Sequence, residues 1–351
     1  MDLENREGDS MKFFITGIAG FLGSHCAEYF RNKGDEVEGI DNLTKYELSR
    51  VPYLNPSIVR GYVLDRLDKV GAKLVKGDIC DFDRLLNIVT NFKPDYIIHA
   101  AAQPAMTIAL ESPSMSCENN VLGTVNVLEV AHKLNIPVAI CSTIHVYGNG
   151  DNKILDNLLA THKQYPELSK LLTGNITPLH ADKSAIEIYA RAFSESYGLK
   201  VATFRLSGIY GTEQWGGDDH AWTANFGWRT ALGLPIKIFG TDTQVRDIVY
   251  VDDVCQAFDL WYRKQESDIY NIGGGLECMV TLKRCLEYQS IISKKTQDIH
   301  LEDYRQGDLW YFICDIEKAY QSFRWKPTIM PDEGLKRQII WIQKNVGLAK
   351  R

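Results

Sequence analysis

The chain has 351 residues, of which 45% are hydrophobic and 24% charged, with a formal net charge of −6; these values suit a globular protein with one large domain and a smaller appendage. No basic run marks a nucleic-acid surface, and no apolar run approaches the ~20 residues of a membrane span, so both kinds of partner are excluded from the reading. The polar opening MDLENREGDS lacks the basic-then-apolar order of a signal peptide. Residues 1–10 are read as a disordered leader before a natural start near Met11. Eight scattered cysteines, with no C-x-x-C pair and no His at zinc spacing, read as free thiols of a cytoplasmic protein without a metal site.

From Lys12 onward, short apolar runs alternate with longer helical patterns. KFFIT (12–16), EVEGI (36–40), AKLVK (72–76), DYIIHA (95–100), PVAICS (137–142) and VATFRL (201–206) are the expected strands. Such alternation implies an α/β fold, a Rossmann-type doubly wound parallel sheet with helices on both faces. Glycines 17, 20 and 23 lie between the first strand and the next helix, where a loop without side chains brings backbone N–H groups to a pyrophosphate. Asp41 ends the second strand, where a carboxylate accepts both adenosine ribose hydroxyls and repels a 2′-phosphate; NAD is therefore expected rather than NADP.

Further along, TPLHADKSAIE (177–187) starts an amphipathic helix with Lys183 at the edge of its apolar face, four residues after Leu179. After Arg205 the pattern loosens into the Gly- and Trp-rich GTEQWGGDDHAW. DIVYVDDVCQAFDLWY reads as a strand and helix returning to the large domain. The expected units are a NAD-binding Rossmann domain over 11–205 plus 241–268, and a smaller mixed α/β C-terminal substrate lobe over 206–240 plus 269–351.

TGIAGFLG, DNL (41–43), GDICD (77–81), HAAAQ (99–103), NNVLGT (119–124), STIHVYG (142–148), K-x-x-x-E (183–187), R-x-x-x-x-YG (205–211), QVRDIVYVDD (244–253) and YNIGGG (270–275) occur in this order. Together they resemble the extended short-chain dehydrogenases/reductases that epimerise or dehydrate nucleotide sugars. Within that group, AQPAMT, GTEQWGGDDHAW and RQGDLWYFICDIEKA look most like the CDP-paratose and CDP-tyvelose 2-epimerases. The resemblance implies that Gly17, Gly20, Phe21 and Leu22 hold the pyrophosphate, Asp41 and Asn42 the adenosine ribose, and Asp78 and Ile79 the adenine. It gives Ala100 and Ala101 to the nicotinamide-side ribose and phosphates, and Lys183 to the nicotinamide ribose hydroxyls. Gln103 and Thr143 would meet the sugar, and Arg246 and Arg305 would grip the substrate diphosphate.

One departure concerns the chemistry itself. The family places a tyrosine base four residues before the lysine, and this chain has Leu179 there; a leucine cannot accept a proton. Pleat geometry expects Thr143 and His145 to project together at the end of the fifth strand, and makes His145 the leading replacement, with Lys183 and Thr143 completing the catalytic set. His180, rotated about 100° from position 179, is expected to aim elsewhere. Asp182 reads as the partner of a neighbouring cation, and Tyr165 is a base that a loop could supply. A second departure is Gly208, where relatives carry an asparagine.

The expected function is NAD-dependent nucleotide-sugar epimerisation, by transient oxidation of a hexose hydroxyl carbon in an atypical site. The alternatives are a 4,6-dehydratase-like or other keto-sugar reaction with His145 as acid/base, or a catalytically silent NAD and sugar-nucleotide binder. The expected substrate is a CDP- or UDP-linked hexose. A homodimer is implied by the resemblance, through segments 113–133 and 180–198.

Overall fold

A computed structural model describes residues 10–151 and 161–349. Its first six strands are β1 (Lys12–Thr16), β2 (Glu36–Asp41), β3 (Lys73–Lys76), β4 (Tyr96–His99), β5 (Val138–Thr143) and β6 (Val201–Leu206), within a residue or so of the expected positions. There follow β7 (Gly208–Tyr210), β8 (Ile236–Phe239), β9 (Val245–Tyr250), β10 (Asp268–Ile272), β11 (Met279–Thr281), β12 (Ile299–Glu302) and β13 (Tyr311–Phe312).

Among the described residues, seven strands form one sheet in the order β10-β6-β5-β4-β1-β2-β3, and every pairing in it is parallel. Helices cover both faces. That is why β1 reads as an unbroken apolar run: Phe13, Phe14 and Ile15 are all fully buried, with no solvent side to demand alternation. Chain order reverses at β1, which lies between β4 and β2, so the crevice beyond the strand ends there is where such sheets take ligands.

The run DIVYVDDVCQAFDLWY divides differently from expectation. Its strand, β9, pairs with β7, β11 and β13 in a separate small sheet. Its helix, Val251–Tyr262, does return to the large sheet, where Cys255 meets Cys26 of helix Phe21–Asn32 at 3.5 Å between sulfurs. The seventh strand of the large sheet is β10, in a region assigned from sequence to the lobe. Ala319, Phe323 and Trp325 also pack into the large core: the Phe323 ring meets Phe204 on β6 and Tyr270 on β10, and Trp325 Nε1 donates to Asp253 O at 2.7 Å. The expected boundary at 268–269 therefore runs through a strand of the main sheet. The leader expected over 1–10 lies outside the described residues except for Ser10.

Long-range polar contacts join the sequence motifs. Glu187 accepts from Ser142 Oγ at 2.6 Å and pairs with Arg205 at 2.8 Å, both side chains almost fully buried, so the lysine helix is pinned to β5 and β6. Asp247 accepts from Ser207 Oγ and from the backbone N–H groups of Gly274 and Gly275, which ties the small sheet to the end of β10. His99 bridges Thr16 and Thr124 at 2.7 and 2.8 Å beneath the crevice.

Candidate active site

The crevice opens into a cavity of about 770 Å³ between the large sheet and the small one, a size that holds a dinucleotide or sugar-nucleotide fragment. At its sheet end, Gly17 sits at φ +68°, and a Cβ there would stand 2.8 Å from the Ala101 backbone. The phosphate turn is thus packed directly on the strand end that carries Ala100 and Ala101. Helix Phe21–Asn32 has no side-chain cap at Gly20, and Phe21 and Leu22, whose N–H groups have no partner within the helix, line the cavity. This uncapped positive helix end suits an anion.

Asp41 accepts the N–H of Ala19 at 2.9 Å and of Leu43 at 2.7 Å, which fixes its carboxylate at the cavity wall; burial raises its pKa, opposed by those two bonds and by Lys45. Asn42 donates to Asp78 Oδ2 at 2.9 Å, and Ile79 completes that wall. Every residue assigned to the cofactor from sequence borders this one cavity. The arrangement fits NAD: an uncapped helix end for the pyrophosphate, a fixed carboxylate for the ribose, and the Asp78–Ile79 wall for the adenine.

Lys183 projects from helix Pro178–Tyr197 and donates to Cys141 O at 2.9 Å. Burial lowers its pKa, while Cys141, Asp182 and Glu187 raise it. Leu179, one turn earlier, is 4% exposed and lines the same cavity. Position 179 therefore presents an alkyl group to the ligand space.

Thr143 and His145 both line the cavity, by a route other than the pleat. β5 ends at Thr143, and Ile144–Tyr147 forms a 3₁₀ turn in which the His145 N–H donates to Thr143 Oγ1 at 3.3 Å. The turn, not strand alternation, brings the two side chains together. Nδ1 of His145 is buried without a hydrogen-bond partner. Its pKa is lowered to about 3 by burial first, then by His180, Arg246 and Arg305.

His180 does not aim away. Its ring meets that of His145 edge to face, 5.5 Å between centroids. The capping box at the helix start causes this: Thr177 N–H donates to His180 Nδ1 at 3.2 Å, drawing the imidazole back toward the N-cap and across to the 3₁₀ turn. Among the described residues Asp182 forms no ion pair; it accepts from Ser116 Oγ at 2.5 Å and Asn120 Nδ2 at 3.2 Å. Tyr165 is buried in a separate cluster, stacked on Phe312 at 4.7 Å and donating to Asp151 Oδ2 at 2.8 Å, and it does not border the cavity.

The Gln103 backbone exchanges hydrogen bonds with Asn120, which stands in a single π-helical turn, Glu118–Leu122. Both polar atoms of the Gln103 side chain are buried and unpartnered at the cavity wall. Leaving such groups unmet costs about 1–3 kcal/mol each, and at the cavity wall they are open to a polar ligand. From the other side, Arg246 donates to its neighbour's carbonyl, Val245 O, at 2.8 Å, and burial lowers its pKa to about 10. Arg305 donates to Asp308 at 2.9 Å and lies over Phe239 at 4.2 Å. Gly208 borders the cavity too, and a Cβ there would stand 3.3 Å from Ile248 Cγ2.

Sequence reading missed Lys45, Asp218, Asp219 and His220 as cavity residues. Asp218, Asp219 and His220 arrive on a crossing segment, where Tyr53 Oη donates to Gly216 O at 2.7 Å, and no local periodicity marks any of the four. Among the described residues, no group of three His, Cys, Asp or Glu could hold a metal ion, and no helix is long and apolar enough to cross a membrane.

Residues 13–273 match the model of the NAD dependent epimerase/dehydratase family. The chain is 28% identical over 342 residues to UDP-glucuronate 4-epimerase of Thermodesulfobacterium geofontis, covering 96% of this chain and 98% of the relative. It is 27% identical to CDP-paratose 2-epimerase of Salmonella typhi, covering 94% and 99%. UDP-glucose 4-epimerase of Thermus thermophilus in complex with NAD superposes with a TM-score of 0.79 at 27% identity, covering 95% of this chain and 99% of that one. With the phosphate turn, the ribose carboxylate and the helix lysine gathered on one cavity, this chain belongs to the NAD dependent epimerase/dehydratase family.

Proposed function

We propose that the chain is an NAD-dependent nucleotide-sugar epimerase in which His145 takes the proton that relatives give to a tyrosine. The observation that carries this is the convergence of Thr143, His145 and Leu179 on one ligand space beside Lys183. Bound NAD would supply the hydride acceptor. Gly17, Gly20, Phe21 and Leu22 would hold its pyrophosphate, Asp41 and Asn42 the adenosine ribose, Asp78 and Ile79 the adenine, Ala100 and Ala101 the far ribose and phosphates, and Lys183 the nicotinamide ribose. The Lys183 ammonium, held by the Cys141 carbonyl, would stabilise negative charge developing on the reacting sugar oxygen and so favour the sugar giving up its proton.

On the substrate, Arg246 and Arg305 would clamp the diphosphate, with planar guanidinium groups matched to its oxygens. Thr143 would hydrogen-bond the reacting oxygen and Gln103 a neighbouring hydroxyl. His145 accepts the hydroxyl proton as the carbon is oxidised and returns it on reduction, so no net proton or electron is consumed. The substrate is a UDP- or CDP-linked hexose: the similar proteins act on both nucleotide classes at nearly equal identity. Helix Pro178–Tyr197 leaves Ile188, Tyr189 and Tyr197 exposed, with Leu122 nearby in chain segment 113–133; a homodimer through this face would cover them.

The test is to mix NAD-loaded protein with UDP-glucuronate, UDP-glucose and CDP-glucose, following reduced nicotinamide by absorbance and the epimer by NMR. Transient reduction with epimer formation supports the reading. Binding by calorimetry with neither signal would sink it in favour of a silent sugar-nucleotide binder.

A further inference from the structure

Asp182 is a carboxylate kept in the interior, 6% exposed, and among the described residues it forms no ion pair. Burying a charged group without a counter-charge is costly unless hydrogen bonds hold it. Both of its bonds meet on one oxygen: Oδ2 accepts from Ser116 Oγ at 2.5 Å and from Asn120 Nδ2 at 3.2 Å. An ionised carboxylate only accepts, so the Asn120 amide turns its nitrogen toward position 182. Its Oδ1 then takes the Gln103 N–H at 2.8 Å, while Nδ2 also donates to Gln103 O at 3.2 Å.

Gln103 depends on this support. Residues 100–105 form no regular element, so no ladder or helix holds its backbone, and one buried side chain, Asn120 of the π-helical turn Glu118–Leu122, meets both its N–H and its C=O. Beyond this clamp the Gln103 side chain stands at the cavity wall with both amide atoms buried and unpartnered. An amide offers an acceptor oxygen and a donor nitrogen, which suits a sugar hydroxyl that gives one hydrogen bond and takes another. Neither Asp182 nor Asn120 borders the cavity, so what they do to a ligand by contact passes through Gln103.

We propose that Asp182 is a positioning residue for the sugar, acting through Asn120 to hold Gln103 where its amide meets a hydroxyl of the substrate hexose. The proposal rests on the epimerase reading for that hexose. A second route from Asp182 to the site is its charge: burial lowers the pKa of Lys183, and Asp182 is among the groups that oppose this. The two routes differ in what they need. Positioning needs an acceptor atom at Oδ2, whereas the route through Lys183 needs the negative charge.

The experiment is a double-mutant cycle of Asp182→Ala and Gln103→Ala in the NAD-loaded protein. Calorimetry reads the affinity for UDP-glucuronate, UDP-glucose and CDP-glucose as a ratio to that for UDP or CDP alone. Asp182→Ala is expected to lower this ratio about tenfold, the equivalent of one hydrogen bond, with the affinities for UDP, CDP and NAD unchanged. In the Gln103→Ala background the same substitution is expected to do nothing further, because the side chain it positions is gone. Asp182→Asn, with its amide oxygen in the place of Oδ2, accepts both bonds and restores the ratio without the charge. An unchanged ratio in Asp182→Ala, additive losses in the cycle, or an Asp182→Asn protein as weak as the alanine variant overturns the proposal. Asp182→Ser, whose hydroxyl is too short to reach both donors, takes the place of the alanine variant if that chain does not fold. If no probe gives reduced nicotinamide in the wild type, the epimerase reading fails by itself, and the cycle, read in binding alone, still decides whether Asp182 acts through Gln103. A wild type that binds none of the three sugar nucleotides overturns both.

Discussion

Leu179 and Lys183 stand one helical turn apart on Pro178–Tyr197 and border the same cavity, with the lysine ammonium fixed 2.9 Å from Cys141 O. On the proposed reading, the lysine serves the cofactor while the position one turn earlier offers an alkyl group and no proton acceptor. Replacement of the base is therefore the chemical question this chain poses.

His145→Ala should lower kcat by about 10²- to 10⁴-fold, the range for loss of a general base. In that background, Leu179→Tyr should restore at least about tenfold, because a phenol one turn from Lys183 meets the charge that lowers its pKa. Steady-state kinetics of the four proteins in this cycle check it. No gain from the tyrosine would mean the cavity cannot seat a phenol there.

Asp41→Ala removes the carboxylate held by Ala19 and Leu43. Hydrogen bonds to charged groups contribute about 1.5–3 kcal/mol, so NAD affinity should fall roughly 10- to 100-fold. NADP, no longer repelled by that carboxylate, should lose much less. Calorimetry with both dinucleotides reads the difference.

Arg205→Met leaves Glu187 buried without its cation. The pair is 2% and 5% exposed, and breaking such a pair from one side costs about 3–5 kcal/mol. A lower urea midpoint at an unchanged slope is expected. Because Glu187 also accepts from Ser142 on β5, loss of activity should accompany the loss of stability.

Acid should destabilise the fold steeply. His25, His99 and His145 are each lowered from 6.5 to about 3, chiefly by burial. Between those values the unfolded chain binds protons that the native chain does not, so stability is full above about pH 6.5 and falls as pH drops toward 3. Each histidine contributes up to about 1.4 kcal/mol per pH unit. Urea midpoints at several pH values would reveal the slope, and a flat profile through this window would contradict the buried neutral rings.

Ile188→Glu places a charge on a residue that is 69% exposed in the monomer. If this helix face forms the dimer seam, sedimentation should show a monomer with unchanged thermal stability of the subunit fold. A dimer that persists would locate the seam elsewhere.

The sheet strands β1 to β6 and the phosphate turn were legible in the linear chain because their signals are local. Apolar runs, glycine spacing and a carboxylate at a strand end depend on neighbours a few residues apart. The leucine at position 179 was equally plain, since it is a single residue of the chain. By contrast, β9 joins a second sheet because its partners β7, β11 and β13 come from distant parts of the chain, and no period within VRDIVY distinguishes the two destinations.

Residue types at positions 143, 145, 179, 180 and 183 were set by the sequence alone, and with them the presence of imidazoles and the absence of a phenol. Their relationship was decided only in three dimensions. A 3₁₀ turn carries His145 off the strand, a capping box draws His180 back against it, and contacts spanning 42 residues hold Lys183 in place. A side chain's direction follows from backbone turns and packing partners that are far away in the chain, and periodicity carries no information about either.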